Sequence, residues 1–330
     1  MSASPPGASA MPGTASALPS ASIEMAARPS VVWITGASGF IGGHVARQFA
    51  ANGWSILGID RAPVSESLLP HITAEVDATS LVEALRRTGP PRAVFHGAGN
   101  GSVARSIADA AMCRRDTLDS TLRLLDFLIT EAPDCRLVFP SSAAVYGAAS
   151  DATLAEDHLP NPVSPYGDHK LAAEEACLAA GAAGQPIAIL RMFSVYGPGL
   201  RKQLPWELGR RLVADENPIV LFGTGHEVRD FFAVTDAARL IFDLATTPHP
   251  SPLIVNGGTG IATTVATFTQ LLAKAVGVTP RIEFNGEVRA GDPQAYCADT
   301  TRLRSLGFNP AVTLADGLAT YAAWLKEAGG

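Results

Sequence analysis

Long apolar runs are missing from this 330-residue chain. Although 47% of its residues are hydrophobic, no stretch approaches the roughly 20 residues that a membrane-spanning helix needs. Cysteine is scarce as well. Cys113, Cys135, Cys177 and Cys297 lie far apart, with no C-x-x-C and no Cys/His cluster, which excludes a disulfide framework or a zinc site as the organising device. The thiols read as reduced cysteines of a soluble, cytoplasmic protein. An excess of either charge is also absent. The balance is net −6, and basic residues occur singly or in pairs such as Arg86-Arg87, Arg114-Arg115 and Arg210-Arg211. A nucleic-acid groove or an anionic membrane surface is therefore not expected.

Residues 1–29 lack apolar periodicity and nearly all charge, being rich in Ala, Ser, Pro and Gly. Such a segment buries too little surface to offset its ordering entropy, so we read it as a disordered leader. It has neither the basic nor the continuous apolar part of a secretory peptide. Met11 and Met25 offer alternative starts.

From Val31 onward, short β-branched runs alternate with helical stretches. VVWIT (31–35), WSILGI (54–59), ITAEV (72–76), AVFH (93–96), RLVFP (136–140) and PIAILR (186–191) read as strands covered on both faces. Helix-spaced Ala, Leu and Val fill 40–51, 80–88, 103–130 and 165–181 between them. This alternation predicts an α/β fold with a doubly wound parallel sheet over 30–191. After Arg191, Gly/Pro-rich loops separate helices near 203–215, 234–247, 263–276 and 313–327 and strands near 219–222 and 253–256. We read 192–330 mainly as a smaller, loop-rich substrate-binding region, with some elements returning to the first domain.

VVWITGASGFIGGH places Gly36, Gly39 and Gly42 after a strand and at the opening of a helix. Such glycines permit a tight turn and close approach to a pyrophosphate at a helix N-terminus. Asp60 ends the second strand eighteen residues past Gly42. An acid there accepts hydrogen bonds from the adenosine ribose of NAD and repels a 2′-phosphate, whereas Arg61 either stacks on adenine or tolerates NADP. The balance favours NAD.

The stretch SPYGDHK sets Tyr166 four residues ahead of Lys170. With five tyrosines and four lysines in the chain, an accidental pairing at this spacing is expected only roughly 0.06 times. An ammonium one helical turn away, and a positive nicotinamide ring, would lower the phenol's pKa from its ordinary value near 10. Pro165 suits a helix start, whose N-terminus pushes the same way. Plainer readings stand beside these: Ser142 as a strand-end cap, Arg229 paired with Asp230 at the surface, Arg289 solvated, Tyr146 structural and His96 a satisfied core histidine.

Taken in order, TGASGFIGGH, the Asp60 strand end, FHGAG, PSSAAVYG, SPYGDHK, RMFSVYGPG, VRDFFAVTD and RAGDPQAYCAD resemble the extended short-chain dehydrogenase/reductases. Within these the likeness is to the NAD-dependent nucleotide-sugar epimerase/dehydratase family related to UDP-glucose 4-epimerase, from about Val31 to the C-terminus. The resemblance implies a Rossmann-type domain, a catalytic set of Ser142, Tyr166 and Lys170, and Lys170 on the nicotinamide ribose. It further implies Phe40 and Ile41 at the pyrophosphate, Asp77 and Ala78 beside adenine, and Gly97, Ala98, Gly99 and Phe193 along the nicotinamide half. In the second region it implies Ser194, Arg229 and Arg289 near the substrate diphosphate and Asp292 at the nucleotide ribose, with no metal.

Three departures matter. Ser194 stands where the family often has Asn, and DTLDST is read as placing Asp116 where many relatives have the Asn of N-x-x-G-T. Ala143 and Ala144 replace the Asp-Glu pair of sugar 4,6-dehydratases, which argues against dehydration. The expected activity is C4 epimerisation of a UDP-hexose by way of a 4-keto sugar. The alternatives are an NAD(P)H-dependent reductase or epimerase-reductase of 4-keto-6-deoxy sugar nucleotides and, more remotely, a non-catalytic dinucleotide sensor. By resemblance, helices 103–130 and 165–181 would pair two subunits into a homodimer.

Overall fold

The computed structural model describes residues 1–3, 30–63, 69–148, 153–287 and 295–328. The chain enters through β1 (Val31–Thr35), α1 (Phe40–Ala51), β2 (Ser55–Asp60), β3 (His71–Thr73), α2 (Ala78–Thr88) and β4 (Ala93–His96). Helices α3 (Val103–Ala108), α4 (Ala110–Arg114) and α5 (Ser120–Glu131) lead to β5 (Arg136–Ser142), α6 (Pro165–Ala182) and β6 (Ile187–Met192). The second half adds β7 (Ser194–Tyr196), α7 (Gln203–Val213), β8 (Ile219–Leu221), β9 (Val228–Arg229), β10 (Phe231–Ala233), α8 (Val234–Thr246) and β11 (Leu253–Gly257). It ends with β12 (Thr263–Thr264), α9 (Val265–Val276), β13 (Ile282–Phe284), α10 (Thr301–Ser305) and α11 (Leu314–Ala328).

Seven strands form one parallel sheet in the order β3-β2-β1-β4-β5-β6-β11. The order reverses between β1 and β4, which leaves a crevice at their C-terminal ends. Alternation along β1 shows why both sheet faces are apolar: Val32 and Ile34 join the layer with Val45 and Phe49 of α1 and Ile241 of α8. Trp33 joins the opposite layer with Leu124 of α5 and Cys177 of α6. A separate core of Leu208, Phe231, Phe268, Leu318 and Tyr321 holds the loop-rich lobe. The last sheet strand and α8 both come from beyond Arg191, so sequence order alternates between the lobes. No helix among the described residues is long and apolar enough to cross a membrane.

Two sequence expectations change. The helix expected over 103–130 is broken: Asp109 ends α3 and its carboxylate caps α4 by accepting from Met112 N at 2.8 Å. A π turn, Arg115–Asp119, then precedes α5. The short acidic side chain offers the backbone a competing acceptor, which is why Asp breaks a run that apolar spacing alone would continue. The strand expected over 72–76 covers only His71–Thr73, because it pairs just with Gly58–Asp60 at the sheet edge before the chain turns into α2.

Helix α6 is fixed to the sheet by a buried ion pair. Arg191 on β6 donates Nε (3.0 Å) and Nη2 (2.7 Å) to the Glu174 carboxylate, with side-chain exposures of 4% and 1%. Its guanidinium also lies 4.9 Å from the Tyr146 ring centroid, and Tyr146 Oη donates to Asn256 Oδ1 of β11 at 2.7 Å. Removing one partner strands a buried charge. Glu174→Ala is therefore expected to cost about 3–5 kcal/mol, read as a lowered denaturant midpoint. Glu174→Leu combined with Arg191→Met should recover most of that loss.

Candidate functional site

The glycine turn is shaped by backbone approach. Gly36, at φ +71°, lies so near β4 that an added Cβ would sit 2.5 Å from the Gly97 carbonyl carbon. A Cβ on Gly42 would meet the Gly36 oxygen at 2.1 Å, tying α1 against the turn. Helix α1 begins after Gly39 with no side-chain cap, so its first amides are left to serve an anion. Phe40 and Ile41 open α1 but pack into the two lobes' apolar clusters, Phe40 into the loop-rich one and Ile41 into the sheet layer.

Next to the turn lies a cleft lined by Gly36, Gly39, Asp60, Glu75, Ala98 and Asp116 among others. Asp60 is held by two amides, Ser38 N to Oδ2 (3.0 Å) and Ala62 N to Oδ1 (2.9 Å). That fixes the carboxylate at the cleft wall while each oxygen keeps acceptor capacity for a ribose hydroxyl. Gly97, Ala98 and Gly99 form the opposite wall, braced by Thr35 Oγ1, which accepts from Ala98 N at 3.1 Å and contacts His96 Nδ1 at 2.8 Å. Bare helix amides, a glycine cradle and a fixed strand-end acid suit a dinucleotide.

Asp77 and Ala78 fall just beyond that wall. Asp77 accepts from Ser80 N at 2.9 Å and, with Ser80, forms a capping box for α2, while Ala74, Glu75 and Val76 face the cleft. Arg61 makes a two-pronged pair with Asp116 at 3.2 and 2.9 Å. Counting N-x-x-G-T back from Thr121 puts its first position at Thr117, one residue after Asp116. Thr117 is buried and its Oγ1 accepts from Asn100 N at 3.2 Å. Thr117, not Asp116, thus backs the Gly99–Asn100 loop.

Ser142 ends β5, and its hydroxyl accepts from Ala144 N at 3.2 Å. Its hydroxyl lies on the Tyr166 phenol's side of the site, near enough to act against the phenol's raised pKa. Ser164 caps α6 by accepting from Gly167 N, and Tyr166 N donates to Ser106 Oγ at 3.1 Å, so the tyrosine is held by α3 as well as by its own helix. Lys170 is buried, donates to the Pro140 carbonyl at 2.7 Å and lies 4.9 Å from the Phe139 ring centroid. The three residues named from sequence are thus brought together.

The expected lowering of the phenol's pKa is not what the protein groups produce. Burial raises Tyr166 above its ordinary value, and the Ser142 hydroxyl only partly opposes this. Burial likewise pushes Lys170 down to about 8. His96 is pushed down to about 3, by burial and then by Lys170, so it is a neutral core residue. It is not fully satisfied, because its Nε2 is buried without a hydrogen-bond partner.

In the loop-rich lobe Phe193 is buried between Tyr146 and Tyr296, with ring centroids 6.4 Å from each. Ser194 N donates to the Asp230 carbonyl as β7 pairs with β10. Arg229 lies half-buried in β9, opposite Thr263. The Asp230 carboxylate receives Thr259 N and Oγ1, Gly260 N and Ala298 N. Asp230 therefore serves as a turn anchor. Arg289 and Asp292 lie outside the described residues. Sequence reasoning missed Lys202, whose Nζ donates to the Gly101 carbonyl at 3.1 Å, and Ser106; neither carries a local motif.

The match to the model of the NAD dependent epimerase/dehydratase family spans residues 32–258. The chain belongs to that family, and its cofactor is NAD. Among known proteins it is 29% identical to a UDP-glucose 4-epimerase of Azospirillum brasilense over 91% of this chain and 92% of that protein. It is 33% identical to a dTDP-glucose 4,6-dehydratase of Streptomyces griseus over 71% of each. Among solved structures it superimposes on MoeE5 in complex with UDP-glucuronic acid and NAD with a TM-score of 0.83 and 33% identity, covering 91% of this chain and 100% of that one.

Substituting Gly42 by Ala forces its Cβ into the Gly36 carbonyl and should cost about 1–3 kcal/mol together with NAD affinity. Gly43→Ala, whose Cβ would meet only Ala37 O at 4.0 Å, should change neither. Thermal unfolding with and without NAD compares the two.

Proposed function

We propose that this protein is an NAD-dependent nucleotide-sugar epimerase that inverts C4 of a UDP-hexose through a transient 4-keto sugar. The observation that carries this reading is Tyr166, beside Ser142 and one helical turn before buried Lys170, next to a cleft that suits NAD. NAD, held by the glycine turn at 36–42 and Asp60, would supply the hydride acceptor and donor for the sugar carbon, whose opposite face is presented once the 4-keto sugar has turned over. Tyr166 takes the proton of the sugar hydroxyl and gives it back, and Ser142 holds the same oxygen. Lys170 holds positive charge behind them and would hold the nicotinamide ribose.

Epimerisation demands a firm grip on the diphosphate and a loose one on the hexose. In this reading Arg229 and Arg289 would supply the first through planar, permanently charged forks, Ser194 would contribute to the same diphosphate contact and Asp292 would hold the nucleotide ribose. Ala143 and Ala144 lack the acid and base that elimination of water needs, which separates this chain from the dehydratase it resembles. The UDP-sugar preference follows the relatives: one is a UDP-glucose 4-epimerase and another binds UDP-glucuronic acid. In this reading residues 30–191 are mainly the NAD-binding part and 192–330 mainly the substrate-binding part. The four cysteines are free and buried, in keeping with a cytoplasmic enzyme.

Purified enzyme should interconvert UDP-glucose with UDP-galactose, or their N-acetyl or uronic forms, without net change of NADH absorbance. Failure on every pair, or steady cofactor consumption with a ketosugar, would refute epimerisation. Tyr166→Phe should lower turnover about a hundred- to ten-thousandfold with NAD binding by calorimetry nearly unchanged.

A homodimer is part of this proposal. Leu122 and Ile129, seven residues apart on one face of α5, are 40% and 48% exposed. Pairing through α5 and α6 would cover them. Leu122→Glu with Ile129→Glu should yield a monomer by sedimentation, and an unchanged dimer would place the interface elsewhere.

A further inference from the structure

The end of β2 and the π turn Arg115–Asp119 face each other across the cleft. From the first, Arg61 reaches over and places both terminal nitrogens on the two oxygens of Asp116. The partners differ in setting: the Arg61 side chain is 52% exposed, whereas that of Asp116 is 6% exposed. The other charges near the pair are Glu75, 4.0 Å from Arg61, and Arg115, whose Nε is 3.5 Å from Asp116. Asp60 lies beside them with its carboxylate held by the Ser38 and Ala62 amides. Both Arg61 and Asp116 line the same end of the cleft as Asp60, the end that receives the adenosine ribose.

A guanidinium directly after the strand-end acid is well placed to bind a 2′-phosphate with two parallel hydrogen bonds. Here that fork is already occupied by a carboxylate. Turning it toward a phosphate would strip a nearly buried acid of its two-pronged partner, leaving only Arg115 nearby, and an unpaired buried carboxylate is costly. We propose that Asp116 determines cofactor specificity by holding Arg61 across the adenosine end of the cleft, where it forms wall for NAD and is withheld from the 2′-phosphate of NADP. Asp60 rejects that phosphate by charge; Asp116 rejects it by engaging the cation that directly follows Asp60. The π turn that carries Asp116 accords with the frequent use of such turns at functional sites.

The inference rests on NAD occupying this cleft, and the experiment separates the two. Full-length protein is equilibrated with labelled NAD, which is displaced by unlabelled NAD or NADP in equilibrium dialysis, giving a ratio of dissociation constants without reference to turnover. Asp116→Ala and the shape-preserving Asp116→Asn should each shift that ratio toward NADP by about tenfold, the worth of roughly one charge-assisted contact. Arg61→Ala added to Asp116→Ala should abolish the gain, because the released guanidinium provides it. A ratio unmoved in both single variants overturns the proposal. So does a gain that survives without Arg61, which would reduce Asp116 to a repelling charge. Failure of the wild-type chain to hold NAD would remove the cofactor reading beneath it.

Discussion

Gly36 and the Gly97 backbone come closer than any side chain permits, and the ligand cleft depends on that approach. A Cβ at 36 would lie within 2.7 Å of three backbone atoms of residues 97 and 98, so β1 and β4 can run side by side and still diverge where the sheet order reverses. From there α1 leaves on one side and the 97–100 loop on the other. Thr35 bridges the two, engaging His96 and the Ala98 amide from a single hydroxyl. The uncapped amides of α1, the strand-end acid and the wall formed by residues 97–99 are each placed relative to this junction.

Helix α6, which carries Tyr166 and Lys170, is positioned separately. Ser164 starts it, Ser106 restrains the amide of Tyr166, and Lys170 is tied to the carbonyl of Pro140 in the strand beneath. Further along, Glu174 meets Arg191, which also donates to the Glu156 carbonyl at 3.1 Å. Glu156 Oε1 in turn accepts from Asn256 N at 2.8 Å. Tyrosine and lysine are thus set by contacts of their helix to α3 and to the two strands β5 and β6. The same buried contacts join β11, supplied by the second half of the chain, to the helix that carries the chemistry.

Much of this was legible in sequence where the cause is local. Strands such as VVWIT declare themselves because a strand covered on both faces must be apolar throughout, and the glycine turn, Asp60, Tyr166 and Lys170 follow from spacing. What escaped depends on partners distant in the chain. Arg61 reads as a free cation until the fold brings Asp116, 55 residues away, against it. Arg191 reads as a strand end until Glu174 is placed beneath it. Asp109 was hidden inside an otherwise helical pattern, since apolar periodicity does not register a side chain that competes for backbone amides. The Asn frame was misplaced by one residue for a related reason: Asp116 resembles Asn chemically, whereas Thr117 occupies the buried position beside the loop.

Taken together, the titrating groups of the site are biased toward their neutral forms by the same cause. Burial raises the Tyr166 phenol, pulls Lys170 down to about 8 and drives His96 down to about 3. In such dry surroundings a new charge acts more strongly than it would in water. The Ser142 hydroxyl partly opposes the effect of burial on the phenol. A positive charge brought beside Tyr166 would therefore meet a phenol with little competing screening. The low polarity that opposes ionisation in the protein alone would make the tyrosine responsive to such a charge.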